Sequence, residues 1–129
     1  MTRDIIATDN APGAVGPYSQ AVRTDGLIFT AGQIPLDPKT ATLVGGSIED
    51  QTRRVLDNVQ AVLQAAGSDL DKVVKMTVFM TDLGLFKRMN AVYSEYFPKA
   101  PPARSAVEVT GLPLGADIEM EAIALTADA

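Results

Sequence analysis

The sequence predicts an α+β domain of element order βββαβαββ, with two helices packed on one face of a mostly antiparallel sheet. Three observations lead to that fold class. Apolar residues recur at helical spacing in two stretches, 47–67 and 82–97. Six shorter stretches hold apolar residues that alternate or run together between Gly, Pro and Asp punctuation. Two helices among six strands can cover only one face of a sheet, which sets a helical layer against a strand layer.

The first strand is short, Asp4–Ala7, and the PGAVGP stretch, Pro12–Pro17, is a loop by its prolines and glycines. Strands at Ser19–Arg23 and Leu27–Gln33 follow, joined by the Asp25-Gly26 turn signal. Residues 35–46 form a surface loop. Helix one starts at Ser47, where Ser-x-x-Asp (Ser47, Asp50) resembles a capping box with Asp in the Glu position. Its apolar face runs from Ile48 through Val55, Leu56, Val59, Val62 and Leu63 to Ala66, and Gly67 is placed to stop it. Strand Val73–Met80 comes next. Asp82 can then cap a second helix carrying Leu85, Phe86, Met89, Val92, Tyr93 and Phe97, which ends before Pro98.

Counted with period two, strand 73–80 is apolar on both sides: Val74, Val78 and Met80 on one, Val73 and Phe79 on the other. The face without helices then needs cover from another subunit, which predicts a homo-oligomer.

The last segment, PARSAVEVTGLPLGADIEME from Pro102 to Glu121, reads as two strands around a turn rich in Gly and Pro, a closing hairpin over 102–125. Arg104, Ala106 and Glu108 share a face of its first strand. Glu119 and Glu121 share a face of its second. Pairing with an odd-sum register would put Arg104 on the same face as the two glutamates and close to one of them. A guanidinium that can fork onto a carboxylate, beside a carboxyl group that can handle a proton, suffices for simple chemistry on a small organic acid. The ordinary role of such a pair is a partly exposed ion pair worth about 0–1 kcal/mol.

With 129 residues the chain has length for one domain, 1–129, with a real core. Its 47% hydrophobic and 21% charged residues are those of an ordinary globular protein. No apolar run approaches a membrane span, and the start, MTRDIIATDNAP, lacks the apolar stretch of a signal peptide, so a cytoplasmic protein without membrane partners is expected. There is no cysteine and no histidine. Disulfides, thiol nucleophiles, Ser-His-Asp and Cys-His catalysis and the usual zinc sites are thereby excluded. No run has EF-hand spacing, and no metal is expected. The net charge of −5, with scattered lysines and arginines, argues against nucleic acid as the main partner.

Four further motifs stand out. Gly45-Gly46-Ser47 before a helix suggests a phosphate cradle, but Glu49 and Asp50 in the first turn would repel an anion, so a loop and cap is the better account. Gly16-Pro17-Tyr18-Ser19-Gln20 sets a tyrosine and two hydrogen-bonding side chains after a constrained turn; a strand start with a half-buried tyrosine is its plain reading. Thr30-Ala31-Gly32-Gln33 ends a strand on a glycine, which marks a bulge or admits a close neighbour. Asn90 sits on a helix face near Phe86 and Tyr93.

Together, GPYSQAV, FTAGQIPLDP, QTRRVLDNVQAVLQAAG, VVKMTVFMTDL, FKRMNAVYSEYF and PPARSAVEV with IEMEAIA match, in order, the signature blocks of the RidA (YjgF) family. The chain resembles these reactive intermediate deaminases over nearly its whole length. The resemblance implies a chorismate-mutase-like subunit, a homotrimer with sheets inside and helices outside, and a ligand cleft at each subunit interface. It implies hydrolysis of enamines and 2-imino acids, such as 2-aminoacrylate, to 2-oxo acids and ammonia, with no cofactor. By motif, Arg104 would clamp the substrate carboxylate and Glu119 would position or activate water. Tyr18, Gly32, Asn90 and the backbone at Ala106 would line the cleft. Two positions depart from the family pattern: Ala31 stands where Ser is common, and Ala106 where Cys is common. Both make the expected cleft less polar. The other readings are a metabolite-binding or chaperone-like trimer without turnover and, third, an endoribonuclease of L-PSP type.

Overall fold

In the computed structural model, which describes residues 2–128, two helices pack on one face of a six-stranded mixed sheet. The strands are β1 (Asp4–Ile6), β2 (Ala21–Thr24), β3 (Leu27–Thr30), β4 (Val73–Met80), β5 (Ala103–Glu108) and β6 (Ile118–Leu125). Their order in the sheet is β1-β2-β3-β6-β4-β5, and every neighbouring pair is antiparallel except β4–β5.

Local signals account for most of these elements. Asp25 and Gly26 both take positive φ, 44° and 82°, as a two-residue hairpin turn between β2 and β3 requires. Helix α1 (Ile48–Ala65) begins where the Ser47 hydroxyl accepts the Asp50 N–H at 3.1 Å, and it closes at Gly67 with the Ser68 N–H on the Leu63 carbonyl at 2.9 Å. Asp82 caps a short 3₁₀ turn (Leu83–Leu85) through the Gly84 N–H; helix α2 proper is Phe86–Tyr96. The core lies between sheet and helices, where Val55, Leu56, Val59, Val62 and Leu63 of α1 and Met89 of α2 meet Ile28, Met76, Val78, Met80, Ile118 and Met120. No helix among the described residues is long and apolar enough to cross a membrane.

Two expectations are corrected. The closing hairpin does not form: β5 pairs parallel to β4 across the α2 crossover, and β6 inserts between β3 and β4. Burial explains the choice. β6 alternates fully buried with half-buried residues and suits a centre, whereas β5 is mostly exposed and suits an edge. The connecting loop crosses the end of β4, held by the Val109 N–H on Met80 and the Thr81 N–H on Asp117.

The second correction is a bulge between Val73 and Lys75, which moves Val73 to the helix side with Met76, Val78 and Met80. The open face of β4 therefore carries Lys75, Thr77 and Phe79, a more polar set than period two alone predicts. It is still apolar in part, for Ile5, Phe29 and Val107 lie exposed on that side.

Candidate functional site

The register separates the arginine from the glutamates. Arg104 lies beside Met76 on the helix-covered side of the sheet, whereas Glu119 and Glu121 lie beside Phe79 and Thr77 on the open side. The same-face pair expected from a hairpin is absent, because β4 intervenes and the odd offset along it inverts the side. Each group instead anchors its own cleft.

Arg104 stands at the sheet edge, where α2 crosses β5. Its Nη1 donates to the Asn90 Oδ1 at 2.7 Å. Its guanidinium carbon lies 4.7 Å from the Tyr93 ring centroid and 5.1 Å from that of Phe86. It makes no ion pair with a carboxylate among the described residues. A cleft of about 360 Å³ opens beside it, lined by Asn90, Tyr93, Phe97, Pro101, Pro102 and Arg104. Burial pushes the Tyr93 hydroxyl pKa upward, and the Arg104 charge pulls the other way.

Glu119 lies in a second cleft of about 420 Å³, whose walls include Tyr18, Gly32, Ile34, Leu36, Leu114 and Glu119. Between the Phe29–Ile123 pair and the Gln33–Met120 bridge, the β3 side carries one residue more than β6, so the chain bulges through Thr30–Ala31–Gly32. The Thr30 hydroxyl takes the Ala122 N–H there at 2.9 Å. The bulge lays Gly32 against the glutamate: a Cβ at Gly32 would sit 2.5 Å from the Glu119 Oε2. A bulge and a close approach, the two meanings of that glycine, are both realised. Burial pushes the Glu119 pKa up, and the neighbouring Glu121 carboxylate adds to the rise.

Tyr18 belongs to the Glu119 cleft, half-exposed, with its hydroxyl 3.4 Å from the Val15 N–H. Gln20, by contrast, is a buried anchor. Its side chain accepts the Thr8 N–H at 2.6 Å and donates to the carbonyls of Thr8 and Pro12, which pins the loop that carries the cleft wall. Ala31 lines the Glu119 cleft, while Ala106 packs against the core on the Arg104 side and lines neither cleft.

The expected residues thus fall into two sets, Arg104 with Asn90 and Glu119 with Tyr18 and Gly32. Sequence reasoning missed the roles of Phe86 and Tyr93 under the guanidinium, although the spacing of Phe86, Asn90 and Tyr93 on one helix stripe was the available signal. It also missed Val15 and Leu114, which line the Glu119 cleft with 87% and 68% of their surface exposed.

A third cavity, of about 760 Å³ and so larger than either cleft, lies at the end of the sheet where α1 terminates. Its arginine is committed, donating to the Ala66 carbonyl at 2.8 Å and lying 3.5 Å from Asp4. Its other charged lining residues among those described are aspartates, so it offers no free cation comparable to Arg104. No cluster of three or more potential metal ligands occurs among the described residues.

Comparison with known proteins agrees with this architecture. The Endoribonuclease L-PSP family matches residues 8–126. A RutC family protein of Pyrococcus abyssi is 53% identical over 124 residues, 96% of this chain and 98% of that protein. The chloroplastic Reactive Intermediate Deaminase A of Arabidopsis thaliana is 46% identical, over 96% of this chain and 66% of that one. The crystal structure of E. coli TdcF with bound serine superposes with a TM-score of 0.92 at 43% identity, covering 96% of this chain and 99% of that chain. The chain therefore belongs to the L-PSP family, in which the RutC and Rid (YjgF) proteins are its relatives.

Proposed function

We propose that this protein hydrolyses 2-imino acids and their enamine tautomers to 2-oxo acids and ammonia, in clefts completed between copies of the chain in a homotrimer. One observation carries the reading: a guanidinium with no ion pair among the described residues and a half-buried carboxyl group lie on opposite faces of one sheet, each at an open cleft. Two such half-sites cannot serve one small substrate within a chain. Apposed across an interface they form a complete set, and the partly apolar open face is suited to being buried there.

The chemistry asks little of the residues. Arg104 holds the substrate carboxylate by charge-assisted hydrogen bonds. A water oxygen bonds to the C=N carbon, and its proton passes to nitrogen by way of the Glu119 carboxyl. The new hydroxyl then gives its proton to the nitrogen by the same carboxyl as the C–N bond breaks and the C=O bond forms, releasing ammonia and leaving the 2-oxo acid. An enamine first takes a proton at its terminal carbon and loses one from its nitrogen to become the imine. Burial and Glu121 raise the Glu119 pKa, which makes its carboxylate a stronger proton acceptor than an ordinary one.

Subunit mixing tests this directly. Arg104→Ala and Glu119→Gln chains, each inactive alone, are unfolded together, refolded and assayed for ammonia release from an imine generated by an amino-acid oxidase. A site drawn from two chains should recover about one quarter of the parent activity at equal mixing. No recovery would place both groups of a site in one chain, and full activity of either variant alone would remove its residue from the reaction. Light scattering should give a mass near three times 13.6 kDa.

The serine bound to TdcF favours a second reading, a trimer that binds amino-acid-like metabolites without turnover. Ligand binding without ammonia release would support it. Ribonuclease activity is disfavoured by the net charge of −5 and the absence of histidine.

A further inference from the structure

Arg104 is neutralised by no carboxylate among the described residues, and what holds it instead bears on the substrate. Phe86, Asn90 and Tyr93 lie at i, i+4 and i+7 of α2 and present one stripe to β5. Asn90 uses one of the guanidinium's five N–H donors. The two ring faces stabilise the cation without taking any of the others. A carboxylate in their place would have consumed the donors that a ligand needs. The Tyr93 hydroxyl is near enough to the guanidinium to feel its charge, but it is buried, in a residue 4% exposed, and makes no hydrogen bond of good geometry among the described residues.

We infer that Phe86 and Tyr93 are positioning residues of the carboxylate site, whose ring faces hold the Arg104 guanidinium beside its cleft with its donors free. The inference rests on the reading of Arg104 as the carboxylate clamp. Losing a ring lets the long side chain sample solvent, so each binding event must first reorder it. The effect falls on affinity for 2-oxo and 2-imino acids, not on the step at the C=N carbon, which belongs to the other cleft. The ring matters and the hydroxyl does not.

The test uses the assembled protein with 2-oxobutanoate as the binding probe by calorimetry and an oxidase-generated imine for turnover. Phe86→Leu and Tyr93→Leu should each weaken 2-oxobutanoate and raise KM by roughly 3- to 10-fold. Their kcat should stay within about twofold of the parent. Tyr93→Phe should restore the affinity lost in Tyr93→Leu and melt no lower than the parent, since it removes a buried, unpartnered hydroxyl. Phe86 is only partly buried, so Phe86→Leu carries the test if Tyr93→Leu does not fold. The inference is overturned if both leucine variants bind like the parent while Arg104→Ala does not. It is equally overturned if Tyr93→Phe binds as poorly as Tyr93→Leu, because the hydroxyl would then be the contact. Unimpaired binding and turnover in Arg104→Ala would refute the clamp itself, and this inference with it.

Discussion

Replacing Gly32 with Ala displaces the Glu119 carboxyl without changing its chemistry. The new Cβ would stand 2.5 Å from Oε2, 2.8 Å from Cδ and 3.1 Å from Cγ of Glu119. Ordinary contact is about 3.5 Å, so the carboxyl must retreat by about 1 Å. The backbone at Gly32 does not have positive φ and accepts alanine. The side chain can turn aside at a cost of about 0.5–1.5 kcal/mol, and the fold should tolerate that. Catalysis should not, since a misplacement of about 1 Å can cost about 10²-fold. Ammonia release from an oxidase-generated imine should therefore fall by roughly 10- to 100-fold, with only a small change in Tm. In a Glu119→Gln background the same change should add little, because the group it displaces is already disabled. Parent-like turnover in Gly32→Ala, or an equal further loss in the Glu119→Gln background, would refute the assignment of Glu119 to the chemistry.

Glu119→Gln itself should lower kcat by roughly 10²-fold or more while sparing 2-oxobutanoate affinity, and Glu121→Gln should be milder. Its stability effect has a sign fixed by burial. The raised pKa means that ionising Glu119 opposes folding as pH rises, so the amide should raise Tm at pH 7 and lose that gain below the usual carboxylate value of 4.5. Arg104→Lys keeps the charge but not the planar fork, and its KM for imines should rise at least about tenfold in steady-state assays. The Glu119 cleft is walled by Ala31, Ile34, Leu36 and Leu114, so leucine- and methionine-derived imines should be turned over with higher kcat/KM than the alanine-derived one; a flat or reversed profile would refute this.

Local sequence was sufficient wherever the physics is local. Ser47 and Gly67 bound α1, Asp25-Gly26 turns β2 into β3, and the apolar stripes of both helices face the sheet as their spacing demands. The motif blocks carry the residues expected at a site, and the structure sets Tyr18, Gly32 and Glu119 at one cleft and Asn90 and Arg104 at another. Strand pairing was not legible. Period two tells which residues of a strand share a side, but not which strand lies next to it. The 102–125 segment reads as well for a hairpin as for two strands separated by a third. The bulge at Val73–Lys75 likewise leaves no mark in the alternation, yet it decides which side Val73 joins. Only the tertiary contest for the centre of the sheet, won by the more deeply buried β6 over the exposed β5, set Arg104 and Glu119 on opposite faces. The sequence determined the chemical groups, and the long-range pairing determined that no single chain brings them together.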